Sequence, residues 1–333
     1  MNSHRPTRSD RILLADIGGT NARFSLTERG EIGPIEHSRV ADFAGSHDAI
    51  AAFLNRHADR PPAAAVLGVA GAVENNRCII TNSGWIIDGA ELQNRFGIKS
   101  VYVLNDFEAV AWSLPELQPC DLFPVGRHTP AAGAPMLVVG PGTGFGAACL
   151  FPGVPLVAVT EAGHTTLPAA SEREGRVIDQ MRQRFVHVSV ERALSGPGLA
   201  NLYHALATID GKTAPDRDPS SITRAALDHS CEVSRAALDL FCSLLGTVAG
   251  DLALTFCARG GVFLAGGIVP RFADRLAGSE FRKQFENKGR FESYLKKIPT
   301  SVILHPDSSF IGLKAFSERS VMARSESAFA TKP

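Results

Sequence analysis

Asp16 stands just ahead of Gly18-Gly19-Thr20-Asn21, so a carboxylate adjoins a turn with little side chain to cover its amide groups. A turn of that kind can wrap a phosphate, and a carboxylate beside bound phosphates suits an outer partner of Mg²⁺. Glycine's tolerance of positive φ and its missing Cβ are the expected reasons for the Gly-Gly pair. Asn105-Asp106 ends a β-branched run and precedes an apolar stripe at Phe107, Val110, Ala111 and Leu114. Asn105 or Asp106 there suits a helix N-cap, and a carboxylate at the carboxyl end of a strand suits an acid–base group; one residue could do both. Glu161 and His164 in Glu-Ala-Gly-His, and Glu191 in Glu-Arg-Ala-Leu, add two acceptors and an imidazole. His-Glu-x-x-His is absent and Gly163 argues against a helix, so hydrogen bonding to hydroxyls suits this set better than zinc does. A lone Glu191 is more usually a solvated strand end.

Strands and turns must position these groups. Residues 11–14 are short and apolar and residues 22–26 alternate, which predicts two strands joined by the glycine turn. This is neither a Walker loop, which needs Gly-Lys-Ser/Thr, nor a dinucleotide fingerprint, which opens a helix. Residues 135–150 repeat the plan, with Gly142, Thr143 and Gly144 at the turn. A single glycine hairpin can be an ordinary turn. Two of them about 120 residues apart imply two related half-molecules. A third bare stretch, Gly266-Gly267, ends an apolar run before Pro270 and suits either a nucleotide contact or a close-packed turn into a helix. Ser46 is the expected N-cap of a helix carrying Ile50, Phe53 and Leu54. Residues 186–191 alternate as a strand ending in Glu191, and residues 210–221 read as a polar loop.

The chain has 333 residues, 44% apolar and 20% charged, which is a globular composition with material for two domains. Lys+Arg and Asp+Glu are 34 each, so no global basic field favours nucleic acid or anionic lipid. Six cysteines without a Cys-x-x-Cys pair fit a reduced, cytoplasmic protein. Residues 1–11 hold no apolar core of a secretory signal. The most apolar tract, residues 236–269, is interrupted by charges and glycines and reads as a buried helix followed by a strand, not a membrane span.

Taken together, Asp16-Ile-Gly-Gly-Thr-Asn-Ala-Arg23, Leu104-Asn-Asp-Phe-Glu-Ala-Val110, Gly140-Pro-Gly-Thr-Gly-Phe-Gly146, Glu161-Ala-Gly-His164, Glu191-Arg-Ala-Leu-Ser-Gly-Pro-Gly198 and Leu264-Ala-Gly-Gly-Ile-Val-Pro-Arg271 resemble the bacterial glucokinase family of the hexokinase–actin group. The resemblance runs from about Arg11 to about Phe316, and Lys288-Gly-Arg-Phe291 continues it. It implies an α/β fold of two actin-like (ribonuclease H-like) domains flanking a deep active-site cleft. Residues 1–115 with a returning helix at 307–320 would form the smaller domain, residues 116–306 the larger, and residues 321–333 a disordered tail. It implies ATP-dependent phosphorylation of glucose at the 6-hydroxyl with Mg²⁺, by a cytoplasmic homodimer with no nucleic-acid or membrane partner. Asp106 matches the family's catalytic base, and Asn82, Asn105, Asp106, Glu161, His164 and Glu191 its sugar-binding set. Gly18, Gly19, Thr20 and Asn21 match the first phosphate hairpin, Gly142, Thr143 and Gly144 the second, and Gly266 and Gly267 the adenosine contact. Asp16 matches the position near the metal. An actin-type ATPase, or a related kinase acting on another acceptor, is the alternative. The zinc motif and helix-turn-helix that mark the related repressor group are absent.

Overall fold

The computed structural model describes residues 11–329 apart from 59, 81 and 127, with side chains described up to residue 320. The described chain divides into two units, one running to Leu117 and resuming at Pro306, the other Gln118–His305.

The first unit contains β1 (Ile12–Ile17), β2 (Asn21–Glu28), β3 (Glu31–Ile32), β4 (Glu36–Arg39), α1 (Ser46–Arg56), β5 (Ala64–Val69), β6 (Val73–Glu74), β7 (Arg77–Ile79), β8 (Ile86–Asp88), α2 (Gly89–Phe96), β9 (Ser100–Asn105) and α3 (Asp106–Ser113). Its main sheet runs β3-β2-β1-β5-β9, with β4 also on β2, and β6, β7 and β8 form a separate small sheet. β1 and β2 are antiparallel, whereas β1, β5 and β9 are parallel. β1 and β5 are almost wholly buried, which is why they read as apolar runs without alternation. The register carries Ile17, Val69 and Asn105 into one row, so Gly18, Ala70 and Asp106 leave the sheet at the same edge. The C-terminal helix (Ser308–Phe329) lies against α3, and a Cβ built on Gly312 would fall 1.7 Å from the Ala109 carbonyl oxygen. Glycine is required there because backbone meets backbone. Of the segment expected as a disordered tail, residues 321–329 continue this helix and residues 330–333 lie outside the described residues.

Ser46 proves to be the first residue of α1, with Gly45 at the cap position. Its hydroxyl donates instead to the Ile86 carbonyl at 2.7 Å and ties α1 to β8.

The second unit contains β10 (Leu122–Gly126), β11 (Met136–Pro141), β12 (Phe145–Phe151), β13 (Leu156–Thr160), α4 (Glu172–Arg182), α5 (Val190–Ala193), α6 (Gly196–Ile209), α7 (Pro219–Leu227), α8 (Glu232–Thr255), β14 (Gly261–Leu264) and β15 (Thr300–Ile303), with short helical turns between the last two. The sheet order is β10-β15-β14-β11-β12-β13. An antiparallel hairpin, β11–β12, is followed outward by two parallel strands, β14 and β15. That is the plan of β1–β2 followed by β5 and β9, so the half-molecule repeat inferred from two glycine hairpins is present in the topology. Helix α8 is long and apolar enough to cross a membrane. Here it is the central core helix, with Leu238, Phe241, Cys242, Leu245 and Ala249 each at most 1% exposed.

Two local expectations are corrected. Residues 186–191 form no strand: Ser189 makes one isolated bridge to Thr166, Val186 is fully exposed, and Glu191 lies in α5. The loop expected over 210–221 ends earlier, because Asp218 caps α7 by accepting from Ser220 N at 3.0 Å and Ser221 N at 3.1 Å.

Candidate active site

In the first unit the β1–β2 turn closes by a hydrogen bond from Gly18 N to Asn21 O at 2.9 Å, leaving Thr20 and Asn21 exposed at the tip. Neither Gly18 nor Gly19 adopts a positive φ, so conformational freedom is not what the sequence needs here. The need at Gly19 is room: an added Cβ would come 2.8 Å from the Asn82 Cβ. The first hairpin and Asn82 are thereby brought together. Across the hairpin Asp16 is registered against Arg23, and the two form an ion pair. Arg23 also reaches Asp307 at 2.8 Å and the Ser309 hydroxyl at 3.0 Å, and Ser309 donates to Asp16 Oδ2 at 2.8 Å. Asp16 Oδ1 is left over.

Asn105, not Asp106, caps α3. Its side-chain oxygen accepts from Phe107 N at 2.9 Å and Glu108 N at 3.3 Å, while its amide donates to Gly71 O at 3.1 Å. Asp106 is the first helical residue, half-buried, and its Oδ1 accepts from Phe107 N at 2.9 Å. The cap and the carboxylate therefore fall on adjacent residues.

In the second unit the β11–β12 turn closes by a hydrogen bond from Gly142 N to Gly144 O at 2.8 Å, and Gly142 O accepts from Gly196 N, at the start of α6, at 2.8 Å. Gly144 is required for Glu191, whose Oε2 would sit 2.5 Å from an added Cβ and accepts from Phe145 N at 3.0 Å. Gly163 likewise admits the Phe145 carbonyl, 2.4 Å from its ideal Cβ. A short helical turn over Ala162–His164 sets Glu161 Oε2 and His164 Nε2 3.9 Å apart, with both side chains about two-thirds exposed. Gly163 does not separate them, as the sequence suggested it would. Glu161, His164 and Glu191 thus gather around the start of β12. The third glycine stretch joins this edge: Gly266 has φ +88°, and its ideal Cβ would lie 2.5 Å from the Pro141 carbonyl. Gly267 has nothing within 4 Å and is open.

A family model described as Glucokinase matches residues 13–320. The chain belongs to the glucokinase family. It is 47% identical to the glucokinase of Paramagnetospirillum magneticum, over 92% of this chain and 97% of that one. It is 42% identical to the glucokinase of Nitrobacter hamburgensis, over 90% and 95%. The crystal structure of a glucokinase from an Antarctic psychrotroph superposes with a TM-score of 0.84 at 36% identity, over 93% of this chain and 99% of that one. The fold is accordingly the two-domain actin-like α/β fold of glucokinases. The alternative of a nucleotide-sensing ATPase of the actin type is not favoured by these relatives.

Arg23, Ser309 and Asp307 are linked to Asp16 directly or through Arg23, and the sequence reading gave them no role. Counting across the hairpin pairs Asp16 with Arg23; the distant Asp307 and Ser309 leave no such local signal. Among the described residues no three His, Cys, Asp or Glu side chains cluster to hold a metal ion. One carboxylate with one oxygen to spare is nevertheless what a Mg²⁺ held mainly by phosphates and water requires. All six cysteines are free, and burial pushes the Cys149 and Cys242 thiols up to about 12, which makes them inert.

Proposed function

We propose that this chain is an ATP:D-glucose 6-phosphotransferase, converting glucose and ATP to glucose 6-phosphate and ADP. The family match across residues 13–320 carries this reading. The glucose 6-hydroxyl oxygen attacks the γ-phosphorus, the bond from that phosphorus to the β,γ-bridging oxygen breaks, and ADP departs. The hydroxyl proton goes to the Asp106 carboxylate. Its position just beyond the carboxyl end of β9, with the cap supplied by Asn105, supports that role. A carboxylate suffices as base, because phosphoryl transfer relies mainly on alignment and charge neutralisation.

In this proposal Asn82, Asn105, Glu161, His164 and Glu191 hold the sugar hydroxyls with Asp106. The turns at Gly18, Gly19, Thr20 and Asn21 and at Gly142, Thr143 and Gly144 take the phosphates through backbone amides other than those of Gly18 and Gly142, which close the turns. Gly266 and Gly267 meet the adenosine. Bound Mg²⁺ would neutralise phosphate charge, with Asp16 as its outer partner through water. Arg23 then holds Asp16 in place from behind. The proposal includes a cytoplasmic homodimer acting in glycolysis, without a nucleic-acid or membrane partner. Phosphorus NMR of the products tests it. Glucose is expected to give a 6-phosphate and 6-deoxyglucose no sugar phosphate; a phosphate on any other hydroxyl refutes the assignment.

A further inference from the structure

We propose that the second unit carries a separate site for a phosphorylated metabolite, at the edge of its sheet remote from the glycine turns. The glycine turns leave the carboxyl ends of β11 and β14, whereas Ala131, Arg259 and Ile298 precede the amino ends of β11, β14 and β15. At about 3.3 Å per residue, the six residues of β11 separate the two edges by roughly 20 Å. The remote edge holds a cavity of about 680 Å³, lined by Arg259, Arg290 and Lys297 together with Phe291 and Tyr294. That volume is in the range of small-molecule sites.

Charge and shape both point to an anion with an organic body. The cavity lining contains three full cations, one histidine and no carboxylate. No carboxylate pairs with Arg259, Arg290 or Lys297 among the described residues, and neighbouring Glu292 is taken by Lys296 at 2.5 Å. Like charges converging in one concavity repel, and a phosphate there relieves that repulsion while matching the guanidinium fork. Phe291 is 46% exposed and meets Tyr294 edge-on, with ring centroids 6.0 Å apart, so an apolar ring face stands beside the cations. A second hollow of about 540 Å³ shares His128 and Thr129 with the first and is walled by Leu122, Pro124, Phe263 and Pro299. Phosphate in the first and a ring or apolar body reaching toward the second is the arrangement these surfaces fit. Nucleoside monophosphates and hexose phosphates share that chemistry.

The test is calorimetric titration of the full chain, kept saturated with glucose and a non-hydrolysable ATP analogue, with AMP, glucose 6-phosphate or inorganic phosphate. One of the two organic phosphates is expected to bind saturably at one site per chain, and which one does so identifies the source. The exposed pair Arg259→Ala/Arg290→Ala is expected to weaken that binding at least tenfold. It is expected to leave kcat and both KM values unchanged when the probe is absent. Saturable binding by neither organic phosphate, binding by inorganic phosphate alone, or binding indifferent to the double substitution overturns the proposal. Because the readout is the loss caused by remote residues, failure here is distinguishable from failure of the kinase reading.

Discussion

Gly144→Ala isolates the coupling between the second glycine turn and Glu191. The new methyl would lie 2.5 Å from Glu191 Oε2, about 1 Å inside ordinary contact, and the atom it meets is the end of a flexible side chain. The carboxylate therefore swings away and β12 stays in place. What is lost is the bond from Phe145 N, at 3.0 Å, to an ionised acceptor. Bonds of that class contribute about 1.5–3 kcal/mol. If Glu191 binds sugar only from its seated position, that energy is drawn from glucose affinity, so KM for glucose rises about tenfold to a hundredfold. Steady-state kinetics with glucose varied at saturating ATP read the effect, with a urea titration to monitor folding. Gly153→Ala, where an added Cβ meets nothing within 4 Å, is the control and is expected to be neutral. Gly144→Ala and Glu191→Ala are expected to be non-additive, because both remove one interaction. An unchanged KM for glucose in a well-folded Gly144→Ala variant would refute the reasoning.

Three further outcomes follow from the same geometry. Asp106→Ala is expected to lower kcat by about 10²–10⁴ with the fold retained, since Asn105 still caps α3; near-normal turnover in a folded variant removes it as the base. Gly312→Ala sets a methyl against the Ala109 carbonyl and is expected to cost about 1–3 kcal/mol, read as a lower urea midpoint; an unchanged midpoint contradicts the packing described. Burial raises the Glu108 carboxyl above its ordinary 4.5, so the folded chain keeps that proton to higher pH than the unfolded one does. Stability is then lost as pH rises from the unfolded value through the folded one, and Glu108→Gln is expected to be more stable than the parent above neutrality but not in acid. Equal pH profiles for parent and variant would count against the buried carboxylate.

The sequence made the central strands β1, β11 and β14 of the two larger sheets legible, because they are nearly wholly buried and so carry apolar runs that end at glycine. It misread residues 186–191 because alternation signals a strand only where a partner strand exists; exposed Val186 shows that none is there. It found the site glycines and offered both positive φ and a missing Cβ as their reasons, and the structure divides these between positions. Gly19 and Gly144 make room for Asn82 and Glu191, and only Gly266 among the site glycines uses a positive φ. Those neighbours lie 63 and 47 residues away along the chain, so no local pattern encodes them. Asp16 was seen as a metal-side carboxylate; its guanidinium partner lies across the same hairpin, but the Ser309 bond arises only when the last helix returns.

The most direct measurement is ADP release from MgATP by the purified chain, with glucose and without any sugar. Strong dependence on glucose, with little release in its absence, is the outcome the account requires. Sugar-independent hydrolysis, or no release with glucose, would contradict the assignment of Asp106 and the Glu161, His164 and Glu191 group to a glucose site.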